Sequence, residues 1–119
     1  MGHENLKSRT HAYALQVIRV VEHLPRTLTA GVIARQLVRS ATSVGANYRA
    51  ACRARSRADF IAKMKIVEEE ADESIYWLQL LVDSGSVSPA DVNDLLLEAD
   101  EILAVVVSSI RTALRNREK

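Results

Sequence analysis

Apolar residues recur every three or four positions along almost the whole chain, in four stretches separated by short turn signals. That pattern admits α-helices packed side by side and little else. The first stretch runs from about residue 4 to 24, with Tyr13, Ala14, Val17, Ile18, Val21 and Leu24 on its apolar side. Arg9, Gln16, Arg19 and His23 fall on its wet side. Pro25 ends it by disfavouring helical backbone in the residue before, and Thr27 or Thr29 can cap the next helix. The second stretch, about 30–53, aligns Ile33, Leu37, Ser40, Val44 and Ala51. Gly45 lies inside it at a cost of about 1 kcal/mol relative to alanine, which predicts a close helix crossing there. Ser56-Arg57-Ala58-Asp59 has the form of a capping box and opens a third helix over 57–83. Its seam reads Phe60, Met64, Val67, Ala71, Ile75, Leu78 and Val82, and Ser84-Gly85 stops it. Ser88, Pro89 and Asp91 start a fourth helix over about 89–114, with a stripe from Val92 through Leu95, Ala99, Ile102, Val106 and Ile110 to Leu114. The charged tail Arg115 to Lys119 is expected to fray.

At 119 residues the chain is one domain, 1–119, able to bury about two thirds of its unfolded surface. No alternating run with hairpin turns suggests a strand. The connections at Pro25–Thr29, Ala54–Ser56 and Ser84–Ser88 are short, so neighbouring helices must run antiparallel. The predicted fold is all-α, an antiparallel up-down-up-down four-helix bundle. A 48% hydrophobic composition with only 4% aromatic residues makes the core aliphatic and alanine-rich.

Charge is segregated along the chain. Residues 1–57 hold ten Lys/Arg against two Asp/Glu, whereas residues 58–119 hold six against thirteen. Between Glu22 and Asp59 there is no acid at all, and seven arginines lie in the gap. Arg35, Arg39, Arg49 and Arg53 share one side of the second helix, and Arg55 and Arg57 extend that stripe past its end. A cationic stripe with small residues between its members fits a polyanion such as RNA or DNA, through salt-sensitive phosphate contacts. Tyr48 is the single aromatic near it, too few for base readout by stacking. The alternative is a protein-interaction module whose arginines pair with the acid cluster Glu68–Glu73 of the same or a neighbouring copy. On the third helix Ile66, Glu70, Glu73, Trp77 and Leu80 form a second stripe off the main seam. It reads either as a subunit interface anchored by Trp77 or as the edge of a wide core stripe.

Catalytic machinery is not visible. A carboxylate-bridged metal site in a bundle needs Glu-x-x-His pairs, and no glutamate here has a histidine three residues later. No cofactor or metal is therefore expected, nor any catalytic residue. The lone Cys52 excludes an intrachain disulfide and reads as a buried helical cysteine. There is no glycine-rich phosphate loop. The polar start Met1-Gly2-His3 is not a signal peptide, and the run Ile102–Ile110 is too short to cross a bilayer. A cytoplasmic protein without membrane contact is expected.

From Gln36 to Tyr48 the sequence Gln-Leu-Val-Arg-Ser-Ala-Thr-Ser-Val-Gly-Ala-Asn-Tyr resembles the small four-helix-bundle proteins encoded in intervening sequences of bacterial 23S ribosomal RNA genes. Ser56 to Phe60 and Glu68 to Leu78 fit the same pattern, and the likeness extends from about Leu6 to Leu114. That family includes the accessory variability protein of diversity-generating retroelements. The resemblance implies a homo-oligomer, a ring-shaped homopentamer, and in the retroelement branch RNA and a reverse transcriptase as partners. This chain departs from the pattern in carrying Val44-Gly45 where Ile-Pro is frequent and Ala50-Ala51 where Glu-Gly is frequent, and in being near neutral rather than strongly basic. The reading is thus a non-enzymatic oligomeric scaffold with RNA binding through the second-helix arginines.

Overall fold

The computed structural model describes residues 3–117. The start Met1-Gly2 and the tail residues Glu118 and Lys119, on which two of the expectations above fall, lie outside the described residues. Four helices follow the periodicity: α1 (His3–Glu22), α2 (Leu28–Cys52), α3 (Arg57–Asp83) and α4 (Pro89–Arg117). No strand occurs among the described residues. α4 stays helical to Arg117, beyond the expected end at 114.

Their ends are set by side chains satisfying backbone groups that a helix leaves open. Thr27 rather than Thr29 caps α2, its Oγ1 accepting from Ala30 N–H at 3.1 Å. Ser56 Oγ accepts from Asp59 N–H at 3.0 Å, the first half of a capping box. Asp59 closes the box one residue early, taking Arg55 N–H at 3.2 Å. α3 ends in a Schellman turn, with Ser86 N–H donating to Leu81 O and Gly85 N–H to Val82 O, both at 3.0 Å. Gly85 supplies the φ of +79° that the turn needs.

The helices pack in chain order around a square, α1 on α2, α2 on α3, α3 on α4 and α4 back on α1, with α2/α3 the most extensive contact. Neither diagonal pair touches through its backbone. The result is a rod of 52 × 21 × 20 Å. Every α2 residue assigned to its stripe is buried, and Ala30, Ala41 and Tyr48 join them. α3 is rotated relative to the expectation. Ile61, Ser74 and Leu81 point inward with Met64, Val67, Ala71 and Leu78, whereas Phe60, Ile75 and Val82 sit at the seam's edges. Ser74 faces inward because its hydroxyl meets that of the buried Tyr13 at 2.7 Å, a partner that a hydrophobicity count passes over.

The crossing at Gly45 is tight. A Cβ added there would lie 3.3 Å from Thr10 Oγ1 and 3.6 Å from the Thr10 backbone. Gly31 in the same helix has nothing within 4 Å of the corresponding point. The two glycines should therefore respond oppositely in urea unfolding. Gly31→Ala should stabilise by about 0.5–1 kcal/mol, the propensity gain alone. Gly45→Leu should destabilise by about 1–3 kcal/mol by forcing α1 off α2. Equal responses would remove the close-crossing explanation for Gly45.

Candidate nucleic-acid interface

All six arginines of the predicted stripe are exposed, but they do not act as one row. Arg39 bends over onto α3, where Nη1 and Nη2 donate to Glu70 at 3.1 and 3.2 Å and Nη2 also reaches Glu73. Glu73 in turn accepts from Trp77 Nε1 at 2.9 Å. The indole bond and the guanidinium, in that order, hold the Glu73 carboxyl below its usual range, and the two carboxylates raise Arg39 above its own. Antiparallel packing of α2 on α3 builds this cluster, because it brings position 39 level with the i, i+3 pair at 70 and 73.

Arg35, Arg49, Arg53, Arg55 and Arg57 make no ion pair among the described residues. Asp59, the acid nearest this group in sequence, is held by Lys63 first and by the Arg55 backbone N–H second, which keeps its carboxyl low and ionised. Four of these arginines lie at one end of the rod, where α2 finishes and α3 begins. Arg35 stands about 20 Å further along the rod at 1.5 Å per residue. The same end receives the first turns of α1. Lys7, Ser8 and His11 line a depression of about 430 Å³ with Arg49. It also receives the last turns of α4, with Arg111 and Arg115 exposed. No sequence stripe on one helix could have signalled Lys7, His11, Arg111 and Arg115, since the up-down topology alone brings them to this end.

One expectation is corrected here and one is extended. Tyr48, the aromatic noted near the stripe, is fully buried, and the aromatic beside Arg57 is the half-buried Phe60. Burial first, and a hydrogen bond with Cys52 second, raise the Tyr48 hydroxyl's pKa. Cys52 itself is exposed rather than buried, because it lies about 100° around α2 from Ala51, which faces the core.

The second stripe of α3 is split. Trp77 and Leu80 are half-buried against the core, Glu70 and Glu73 are engaged by Arg39, and Ile66 remains 42% exposed. Tyr76, absent from the predicted set, is 57% exposed and meets the Trp77 ring edge-on at 4.8 Å. Periodicity missed a second feature too. Arg9, read as a wet-side residue, clamps α1 to α4 through both oxygens of Glu98, at 2.7 and 3.0 Å, and through Glu101 at 3.2 Å.

Among the described residues no group of three His, Cys, Asp or Glu could hold a metal ion. Also among them, no helix is long and apolar enough to cross a membrane. A cleft of about 640 Å³ between the start of α3 and the end of α4 is lined by Arg57, Phe60, small hydroxyl residues, alanines, Val105 and Asn116, with no carboxylate, histidine or thiol.

The family model described as 23S rRNA-intervening sequence protein matches residues 5–108. A crystal structure of a protein of unknown function from the S23 ribosomal protein family of Bacteroides thetaiotaomicron is similar over 93% of this chain and 99% of that one. It has 32% identity and a TM-score of 0.87. No curated protein matches significantly. None of these likenesses points to an enzyme class.

The Arg39–Glu73–Trp77 cluster carries its own reporter, since Trp77 is the one tryptophan of the chain. The folded Glu73 carboxyl is lowered, so its contribution to stability is complete above the ordinary glutamate range and is lost as pH falls through the lowered value. Trp77 emission should stay constant on acidification to about pH 4.3, the ordinary glutamate value, and change only below it. In Glu73→Gln this step should vanish. A transition centred above that pH, or one that survives the substitution, would contradict the assigned network.

Proposed function

Because the chain belongs to the 23S rRNA-intervening sequence protein family, we propose that it is a non-enzymatic scaffold that assembles as a ring-shaped homopentamer and holds RNA at the arginine end of each bundle. The carrying observation is the set Arg49, Arg53, Arg55 and Arg57, exposed at one end with guanidinium groups in no ion pair among the described residues, Asp59 beside Arg55 being taken by Lys63. Four guanidinium groups outside any side-chain ion pair raise the local potential, and phosphate is the ligand class whose oxygens can accept their forked N–H donors in pairs. The contact is to backbone rather than to bases, consistent with the burial of Tyr48. The pentamer is inherited from the family resemblance, and exposed Ile66 and Tyr76 beside the Trp77 cluster support an assembly role for α3.

The alternative, arginines paired with carboxylates in a pure assembly module, is favoured at one position. Arg39 is bound by Glu70 and Glu73 within the same chain. We assign Arg39 to structure and the four end arginines to RNA.

Native mass spectrometry should find a species several-fold heavier than the 13.2 kDa chain, and a monomer at micromolar concentration would end the ring reading. With about four phosphate contacts, affinity for a structured RNA should fall on the order of a hundredfold between 50 and 200 mM salt. Arg49→Glu/Arg53→Glu should flatten that dependence and weaken binding, whereas Arg39→Ala should leave both unchanged. Binding that is insensitive to the first pair would remove the RNA assignment.

A further inference from the structure

The cleft between the start of α3 and the end of α4 lies beside the end arginines and shares Arg57 with them. Its volume of about 640 Å³ falls inside the range of small-ligand sites. Arg57 and Phe60, one turn apart, form the α3 wall. Val105, Ser108, Ser109, Thr112 and Asn116 form the α4 wall along about three turns. Phe60 also lines a second hollow of about 360 Å³ with Ala54 and Ser56 of the α2–α3 turn. A strand lying across Arg53 and Arg55 therefore has a path into the cleft.

The hydroxyls of this wall are held differently from others in the bundle. Ser40, Thr42, Ser43 and Ser74 each donate to a carbonyl three or four residues back in their own helix, which satisfies a helical hydroxyl locally. Among the described residues Ser108, Ser109 and Thr112 make no such bond. Thr112 instead accepts from Arg115 Nη2 at 3.5 Å, which sets a second guanidinium at the rim. Arg57 is in no ion pair among the described residues.

Three kinds of group thus converge. Arg57 favours an anion. Phe60, half-buried, presents apolar surface. The hydroxyls and the Asn116 carboxamide present donors and acceptors to a polar edge. An alkyl chain would cover those hydroxyls without replacing their bonds to water. A bare phosphate would make no use of Phe60 and Val105. A nucleotide meets all three, with a flat ring face, a polar ring edge and a phosphate.

We propose that the cleft seats one unpaired nucleotide of the bound RNA, its base on Phe60 and a flanking phosphate at Arg57. The inference rests on the RNA reading above and adds a requirement to it. The end arginines take phosphate alone, whereas the cleft takes a base that the RNA must leave unpaired.

The test uses the full chain and labelled RNA stems: one blunt, one with a short adenosine overhang, and one with an abasic overhang of equal charge. By fluorescence anisotropy the adenosine overhang should bind about tenfold tighter than the abasic one, in line with one base stacked on an aromatic ring. Ser108→Leu/Thr112→Leu fills the cleft from two exposed positions. It should abolish that difference and keep the blunt-stem affinity, with circular dichroism checking that the helices persist. Phe60→Leu should shrink the difference and Phe60→Trp should keep it. Overhangs of equal affinity, or a difference that survives the filled cleft, would overturn the proposal. If the overhangs are equal but adenosine monophosphate binds the wild type and not the filled variant, the occupant is a free nucleotide and its RNA origin is wrong. These outcomes leave the backbone contact standing. That contact falls only if blunt-stem binding is insensitive to Arg49→Glu/Arg53→Glu.

Discussion

The Tyr13 hydroxyl crosses the centre of the bundle to Ser74 Oγ at 2.7 Å, linking helices that do not touch through their backbones. Ser74 also donates to its own helix at Ala71 O. Both side chains are fully buried, so sliding α1 by one turn, about 5.4 Å, would leave the Tyr13 hydroxyl unsatisfied at about 1–3 kcal/mol, while Ser74 would keep its bond to Ala71 O. Aliphatic seams alone tolerate such slippage, because one leucine replaces another. Burial first, partly offset by the bond to Ser74, pushes the Tyr13 hydroxyl to about 12, so it stays protonated across the working pH range. This link fixes α1 against α3 where the two helices share no backbone contact.

Once α1 and α3 are held in register, the surface follows. Arg9 meets Glu98 and Glu101 on one side, and Arg39 meets Glu70 and Glu73 on the other. These exposed or partly exposed clamps add little stability individually. Their consequence is electrostatic: they remove two cations from the positive hairpin and four acids from the negative one. The cations outside any ion pair then include the arginines at the end where α2 finishes and α3 begins.

Much of the fold was legible because helix formation is decided locally. Gly85 at the end of α3, Pro89 at the start of α4 and Ser56 before α3 act within a few residues of their own position. The inward face of α3 was misread at Phe60, Ile75 and Val82 because the large apolar residues were counted and Ser74 was not. Its hydroxyl is at home inside only because Tyr13 stands opposite, and no pattern within α3 carries that information. Cys52 was misread as buried although it is Ala51, one residue before it, that faces the core.

The candidate site divides along the same line. Six arginines without intervening acids, and an acid cluster after them, are properties of the chain as written, as are the four helices that carry them. Which arginines stay free is not, because Arg39 finds Glu70 and Glu73 across 31 and 34 residues of sequence. Periodicity and capping act over single turns and can be read in order along a chain. Ion pairing acts through space, and only the antiparallel register of α2 on α3 decides which charges lie within reach of one another.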